Sequence, residues 1–259
     1  MTLVEVLLAL VAGGIIGIVL GMIGGGGSIL AVPLLVYVVG MDSPHAAIGT
    51  AAVAVAANAL VGLAGHARAG RVKWRCAGVF AIAGVVGAAI GAEIGKAFDG
   101  ERLLMLFGIL MIGVGLSMVR KRRKPAAPDV RLASNTAATL LPRLIPTGML
   151  VGLAAGFFGI GGGFLIVPGL IFATAMPLPY AIGTSLVVVS ALGLTTALSY
   201  AASGLVDWSV TGLLIAGGVG GTTAGIALGK VLGARKGVLE RGFAGLVILI
   251  GGYIAATSL

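Results

Sequence analysis

Long apolar runs dominate the chain, and short polar segments separate them. The runs fall at about 3–40, 46–65, 76–97, 101–119, 143–175, 180–202, 209–230 and 238–257. An α-helix of roughly 18 or more apolar residues is long enough to cross the ~30 Å hydrocarbon core of a bilayer. The pattern therefore predicts an all-α, polytopic membrane protein with almost no soluble part.

The two halves of the chain carry the same pattern. The segment GMIGGGGSILAVP, from Gly21 to Pro33, matches GFFGIGGGFLIVP, from Gly156 to Pro168, at an offset of 135 residues. Residues 48–50 then match residues 182–184 at an offset of 134. Matches held at an offset that changes by only one residue indicate an internal duplication. We predict three parts: a first transmembrane repeat at 1–119, a basic, proline-containing cytoplasmic linker at 120–142, and a second transmembrane repeat at 143–259.

Glycines interrupt the first apolar run of each repeat. The first break comprises Gly24 to Gly27, and the second break comprises Gly159 and Gly161 to Gly163. Each glycine costs a helix about 1 kcal/mol relative to alanine, so four together end it. Pro33 and Pro168 follow and are compatible with the first turn of a new helix. We therefore predict a hairpin-like first segment in each repeat, followed by three transmembrane helices.

The distribution of lysine and arginine predicts the orientation. If each broken run reverses at its glycines, the segments 66–75, 120–143 and 230–241 share one side with 15 of the 17 basic residues. Eight single crossings would gather only 11 of them on one side. The positive-inside rule favours the first arrangement. It makes the two repeats inverted relative to each other and places both termini away from the cytoplasm, in the inner membrane if the protein is bacterial.

Composition adds a packing prediction, because 46 residues are glycine. In lipid, small residues allow helix backbones to approach closely. Glycines recur at every fourth residue in four series: 13, 17 and 21; 87, 91 and 95; 148, 152 and 156; and 221, 225 and 229. Each series predicts a smooth stripe that packs on another helix.

The breaks are also the strongest candidates for a binding site. Transporters with inverted repeats bind their substrates near the membrane midplane, where broken helices from the two repeats meet. A glycine-rich turn that leads into a helix presents free backbone N–H groups and the positive end of a helix dipole, which attract anions. Ser28 adds a hydroxyl to the first break. The alternative is that the glycines only permit a kink or a close helix crossing.

The paired pattern of a glycine-rich break, a Val-Pro and, about 15 residues later, an Ala-Ile-Gly-Thr resembles the TauE/SafE family, also called the sulfite exporter or TSUP family. The resemblance implies transport of sulfur-containing or organic anions such as sulfite, thiosulfate or sulfonates. It also implies the following site residues: Gly24, Gly25, Gly26, Gly27, Pro33, Thr50, Gly159, Gly161, Gly162, Gly163, Pro168, Thr184 and Ser185.

Hydroxyl and amide groups within the apolar runs are secondary candidates. Thr50 and Thr184 each open an apolar helix at equivalent places, so each hydroxyl either caps that helix or faces a cavity. Asn58 lies inside an apolar run, where its amide needs a partner, and we expect it to join two helices, with substrate contact as the alternative.

Ionisable side chains within the runs are few. Glu93 has Ala227 as its counterpart in the second repeat. It either couples protons to transport or reaches the membrane interface and pairs with Lys96. His45 and His66 lie at the edges of loops, where we expect them to be solvated.

These observations favour a secondary anion transporter that uses no cofactor or metal. The net charge of +9 comes from residues at the ends of apolar runs, which argues against nucleic-acid binding. The sequence contains neither an ATPase phosphate-binding motif nor a set of catalytic groups within the spans, so we expect no enzyme. A passive anion channel or a membrane component of a larger complex remains an alternative. The substrate, the coupling ion (proton or sodium) and the oligomeric state stay open.

Overall fold

The computed structural model describes residues 3–119, 132, 134–159, 163–231 and 236–257. All the regular elements in these ranges are helices. Their bounds are α1 Leu3–Ile23, a 3-10 helix Gly24–Leu30, α2 Ala31–Pro33, a π-helix Leu34–Val39, α3 Pro44–Arg68, α4 Trp74–Ala97, α5 Gly100–Val119, α6 Ser134–Phe157, α7 Gly163–Thr174, α8 Leu178–Ala202, α9 Trp208–Val231 and α10 Lys236–Thr257.

Six helical stretches of the described chain are long and apolar enough to cross a membrane: Leu3–Val39, Pro44–Arg68, Trp74–Ala97, Thr136–Phe157, Leu178–Ala202 and Trp208–Gly229. Large apolar side chains such as Ile82, Leu198 and Leu249 are about 70% exposed on the outside of the bundle. Such a surface is suited to lipid, because every backbone polar group of a helix is paired within it. The prediction of an all-α, multi-pass membrane protein is confirmed.

The chain reverses its direction at the first break. The 3-10 helix that begins at Gly24 brings Gly27 back onto α1, where a Cβ at Gly27 would lie 2.5 Å from the backbone nitrogen of Leu20 and 2.7 Å from the carbonyl oxygen of Ile16. Only glycine fits this approach. The first segment is therefore a hairpin, and Gly40 ends it with a positive φ of 81°.

The second repeat differs from the sequence-based expectations in two places. Helix α6 begins at Ser134, within the segment assigned to the linker, and continues through Pro142 and Pro146. Prolines are tolerated inside membrane helices because neighbouring groups satisfy the carbonyls that they free. Pro168 lies in the second turn of α7, so the prediction that it occupies the first turn of a new helix is wrong. Helix α7 begins at Gly163, which packs against Gly25 of the first break.

The glycine stripes pack on other helices, as predicted, and in each case the partner helix belongs to the other repeat. Helix α1 packs on α9, and α6 packs on α4 in the equivalent way. A Cβ at Gly17 would lie 2.8 Å from the backbone nitrogen of Thr222, and one at Gly91 would lie 2.8 Å from that of Phe157. Neither helix contact has room for a methyl group, so the two repeats form one interlocked bundle.

Equivalent helices of the two repeats also meet each other. Helix α3 packs on α8, and α5 packs on α10. Along α3, Gly49 faces Tyr200 and the later Gly62 faces Leu186, so α3 and α8 run antiparallel. The breaks lie where these central helices converge with α7.

Candidate functional site

The two breaks meet in the interior of the bundle. A Cβ at Gly25 would lie 2.6 Å from the carbonyl carbon of Gly163, and a Cβ at Gly163 would lie 2.6 Å from that of Gly25. Real Cβ atoms do not approach other atoms so closely, so both positions require glycine. Gly161 and Gly162, predicted for the same site, lie outside the described residues.

Polar groups from both repeats surround Gly25. Its N–H donates to the hydroxyl of Ser185 at 3.3 Å. Its carbonyl accepts a hydrogen bond from the Ser28 hydroxyl at 2.9 Å. The Ser185 hydroxyl donates in turn to the carbonyl of Ile182 at 2.8 Å. Two hydroxyls and an N–H group are thus gathered at the start of a helix, without a charged side chain in these contacts.

Gly25 is the second residue of the 3-10 helix, so its N–H group lies at the start of that helix. The first N–H groups of any helix have no acceptor within that helix. Ile23, which precedes this helix, provides no side-chain cap. The bond to Ser185 is long for an N–H···O contact, for which about 2.9–3.0 Å is usual. The contact between the Gly25 N–H and Ser185 is therefore a weak hydrogen bond.

Two glycines at equivalent positions set the geometry of the breaks. Gly24 has a φ of 74° and Gly159 has a φ of 64°, a region that side chains disfavour. A Cβ at Gly24 would lie 2.9 Å from the Ser185 hydroxyl, and one at Gly159 would collide with Ile48. Both breaks therefore depend on glycine for their backbone conformation as well as for their packing.

The site is closed in this conformation. Residues Gly24 to Leu30 are all buried, and so are Gly163, Thr184 and Ser185. Beside the second break lies a narrow apolar crevice that has no room for a water molecule. Its walls are Val32, Ile48, Leu103, Leu104, Phe107 and Phe158. These walls offer an anion no hydrogen-bond donor from a side chain, so the crevice is not itself a candidate anion site.

Thr50 and Thr184 do not cap their own helices, because α3 and α8 begin at Pro44 and Leu178. Each hydroxyl instead serves a helix start in the other repeat. The Thr50 hydroxyl accepts from the N–H of Asp207 at 2.9 Å, just before α9. The Thr184 hydroxyl accepts from the N–H of Lys73 at 3.0 Å, just before α4. The equivalence of the two bonds shows that these threonines join the repeats.

Glu93 belongs to a polar group at the end of α4, away from the breaks. Its carboxylate pairs with Lys96 at 2.7 Å and accepts from the Ser199 hydroxyl at 2.8 Å. Lys96 also donates to the Ser203 hydroxyl at 3.1 Å. The Glu93 side chain is 67% exposed. This arrangement matches the expected pair with Lys96.

Three interior polar groups have positions that the sequence-based reasoning misjudged or missed. His66, expected to be solvated, is only 6% exposed, because α1 and α9 cover the last turns of α3. Thr222 and Thr196 are fully buried within spans. Thr222 follows Gly221 of the glycine stripe directly, and a polar residue beside such a stripe was the available signal. Asn58 donates to the carbonyl of Leu214 at 3.4 Å, joining α3 to α9 as expected.

Comparisons with known proteins agree with the resemblance in the sequence. A family model described as "Sulfite exporter TauE/SafE" matches residues 9–254. A "Probable membrane transporter protein" of Xylella fastidiosa (strain 9a5c) is 48% identical over 254 residues, which cover 98% of this chain and 96% of that protein. The "Probable membrane transporter protein YunE" of Bacillus subtilis is 28% identical over 246 residues, covering 88% and 90%. No solved structure matches the chain significantly. The chain is a multi-pass integral membrane protein that belongs to the TauE/SafE family of membrane transporters.

Proposed function

We propose that the protein is a secondary transporter for a sulfur-containing or organic anion of the sulfite, thiosulfate or sulfonate class. The anion binds between the two breaks, where the first contributes the Gly25 N–H and the Ser28 hydroxyl and the second repeat contributes the Ser185 hydroxyl. The observation that carries this proposal is the long hydrogen bond from Gly25 to Ser185, a helix-start donor of one repeat facing the other repeat.

Backbone donors suit a doubly or singly charged oxyanion inside a membrane. A fixed basic side chain at the same place would be costly without an anion. Helix-start N–H groups are neutral when the site is empty, yet they point a partial positive charge at a bound anion. The anion replaces Ser185 as the acceptor for Gly25, and the two serine hydroxyls rotate to donate to its oxygens.

The antiparallel packing of α3 on α8 supports the inverted-repeat arrangement that alternating access requires. Equivalent helices that touch and run antiparallel are related by an axis perpendicular to the helices. For membrane-spanning helices that axis lies in the membrane plane. If the first break separates from α7, the site would open to one face of the membrane. If the equivalent contacts of the other repeat separate, the same site would open to the other face.

A matched pair of serine variants in α8 tests the site. Both Ser185 and Ser190 donate to carbonyls of their own helix, but only Ser185 also accepts from Gly25. Purified protein is heated with sulfite, thiosulfate, sulfate or a sulfonate, since a ligand stabilises the state that binds it. A hydrogen bond to a charged group contributes about 1.5–3 kcal/mol. Ser185→Ala should therefore lower the affinity for the anion that stabilises the wild-type protein at least about tenfold.

Ser190→Ala should respond to anions like the wild-type protein. If Ser185→Ala and Ser190→Ala are stabilised equally by the anion, the anion site does not lie at the breaks. Anion flux into proteoliposomes, with and without an imposed proton or sodium gradient, then separates a coupled transporter from a passive channel. Uphill accumulation driven by a gradient is the expected result, and flux that only equilibrates the anion would indicate a channel.

A further inference from the structure

A line of buried polar groups runs between α1, α3 and α9 and has no part in the contacts at the breaks. Asn58 and His66 lie two turns apart on α3, with Gly62 between them. A Cβ at Gly62 would touch the Thr222 methyl group at 3.3 Å, and one at Gly218 would lie 2.6 Å from the Asn58 side-chain oxygen. We call Asn58, Thr222 and His66 the α3/α9 seam.

Two oxygens of the seam have no hydrogen-bond partner. They are Oδ1 of Asn58 and Oγ1 of Thr222, on residues that are 1% and 0% exposed. The Thr222 hydroxyl does not bond back to its own helix, as the hydroxyls of Ser190 and Thr174 do. Unpaired buried oxygens cost free energy and are rare in native proteins, so each needs an explanation such as a bound water or ion.

The fold itself does not require these oxygens, because the other repeat forms the same contact without them. At the equivalent positions, Leu192 replaces Asn58 and Ala88 replaces Thr222. A Cβ at Gly84 would meet a methyl group of Leu192 at 2.9 Å, just as one at Gly218 would meet Asn58. Apolar side chains therefore pack this crossing adequately. The polar pair on one side only indicates a binding role.

The ligand chemistry follows from the surrounding charges. Neither α3 nor α9 contains an aspartate or a glutamate, and the acidic residue of α1 is Glu5 in its first turn. Divalent cations in proteins rely on carboxylates, which the seam lacks. Neutral amide, hydroxyl and carbonyl oxygens instead replace part of the water around a monovalent cation, as they do in transporters. The unpaired atoms are oxygens that do not titrate, which favours a metal cation over a proton.

We propose that the α3/α9 seam binds a sodium ion through Asn58 Oδ1 and Thr222 Oγ1. The backbone nitrogen of Thr222 lies against Gly17 of α1, and the carbonyl of Gly21 contacts a ring nitrogen of His66 at 3.4 Å. Helix α1 ends at Ile23 and leads directly into the first break. A sodium ion there would hold α1 against α3 and α9 and place a positive charge near the anion site. Its role in coupling rests on the proposed function, although the ion site itself does not.

The test measures thermal unfolding of the purified full-length protein in sodium chloride and in choline chloride, at equal ionic strength and without any substrate anion. Sodium should raise the unfolding temperature saturably. Asn58→Leu and Thr222→Ala introduce the residues of the other repeat and should abolish this rise. Thr196→Ala removes an unpaired buried hydroxyl from α8 and should leave the rise intact.

Each variant is compared with itself in the two salts, so a lower baseline stability does not affect the result. If Asn58→Leu does not fold, Thr222→Val, which keeps the volume of threonine, decides the matter. A wild-type protein that ignores sodium would overturn the proposal, and so would a rise that survives both seam substitutions. An unfolding temperature that depends on pH and not on sodium, and that loses this dependence in His66→Gln, would assign a proton to the seam instead of sodium. Anion stabilisation measured in choline chloride tests the break site separately.

Discussion

Replacing Gly225 by alanine tests how the two repeats are held together. A Cβ at Gly225 would collide with the carbonyl oxygen of Ile18 in α1 and would lie 2.9 Å from the Cα of that residue. Carbon atoms pack best at about 3.5–4.0 Å, so the contact with Cα alone requires α1 and α9 to separate by roughly 0.6–1 Å, and the contact with the carbonyl oxygen requires more. Overpacking of this kind costs about 1–3 kcal/mol. Both helices are rigid and the contact is between backbones, so no side chain can move aside to relieve it.

Gly220 provides a control on the same helix, because a Cβ there would meet nothing within 4 Å. Alanine gains about 1 kcal/mol of helix propensity at either position, so the difference between the two variants isolates the clash. Gly225→Ala should unfold roughly 2–12 °C below Gly220→Ala in detergent, by the usual scaling for chains of this length. Anion-induced stabilisation should be the same in both variants, since Gly225 lies outside the break site. Equal unfolding temperatures would show that the stripes do not hold the repeats together.

Three further predictions concern single positions. Ala175 has a φ of 56° where its counterpart Gly40 has 81°, so Ala175→Gly should stabilise the protein by about 1 kcal/mol in thermal unfolding, while Gly40→Ala destabilises it. Thr50→Val and Thr184→Val should each cost about 1 kcal/mol, since each loses one hydrogen bond between the repeats, and the double variant should show both losses added. A reporter fused after Leu259 should lie outside the cytoplasm, and a cytoplasmic reporter would contradict the inverted topology.

Several properties of this protein follow from its sequence because they depend on local composition and spacing. Apolar runs long enough for a bilayer specify membrane helices whatever their partners are. Four clustered glycines end a helix because of their backbone entropy. Gly24 and Gly159 are separated by the offset of the sequence repeat, so the sequence predicts a helix end at both places. The spacing of the glycine stripes predicts close packing, and the stripes through Gly17 and Gly91 do pack closely.

The tertiary structure alone decided which groups meet. The Thr50 hydroxyl was predicted to act within its own helix or in a cavity, but the fold brings the N–H of Asp207 to it from the other repeat. Ser185 reaches Gly25 across 160 positions of sequence. His66 is buried because α1, which is distant in sequence, covers it. Hydrogen-bond partners and burial are set by pairings between remote helices, and no local pattern of residues encodes those pairings.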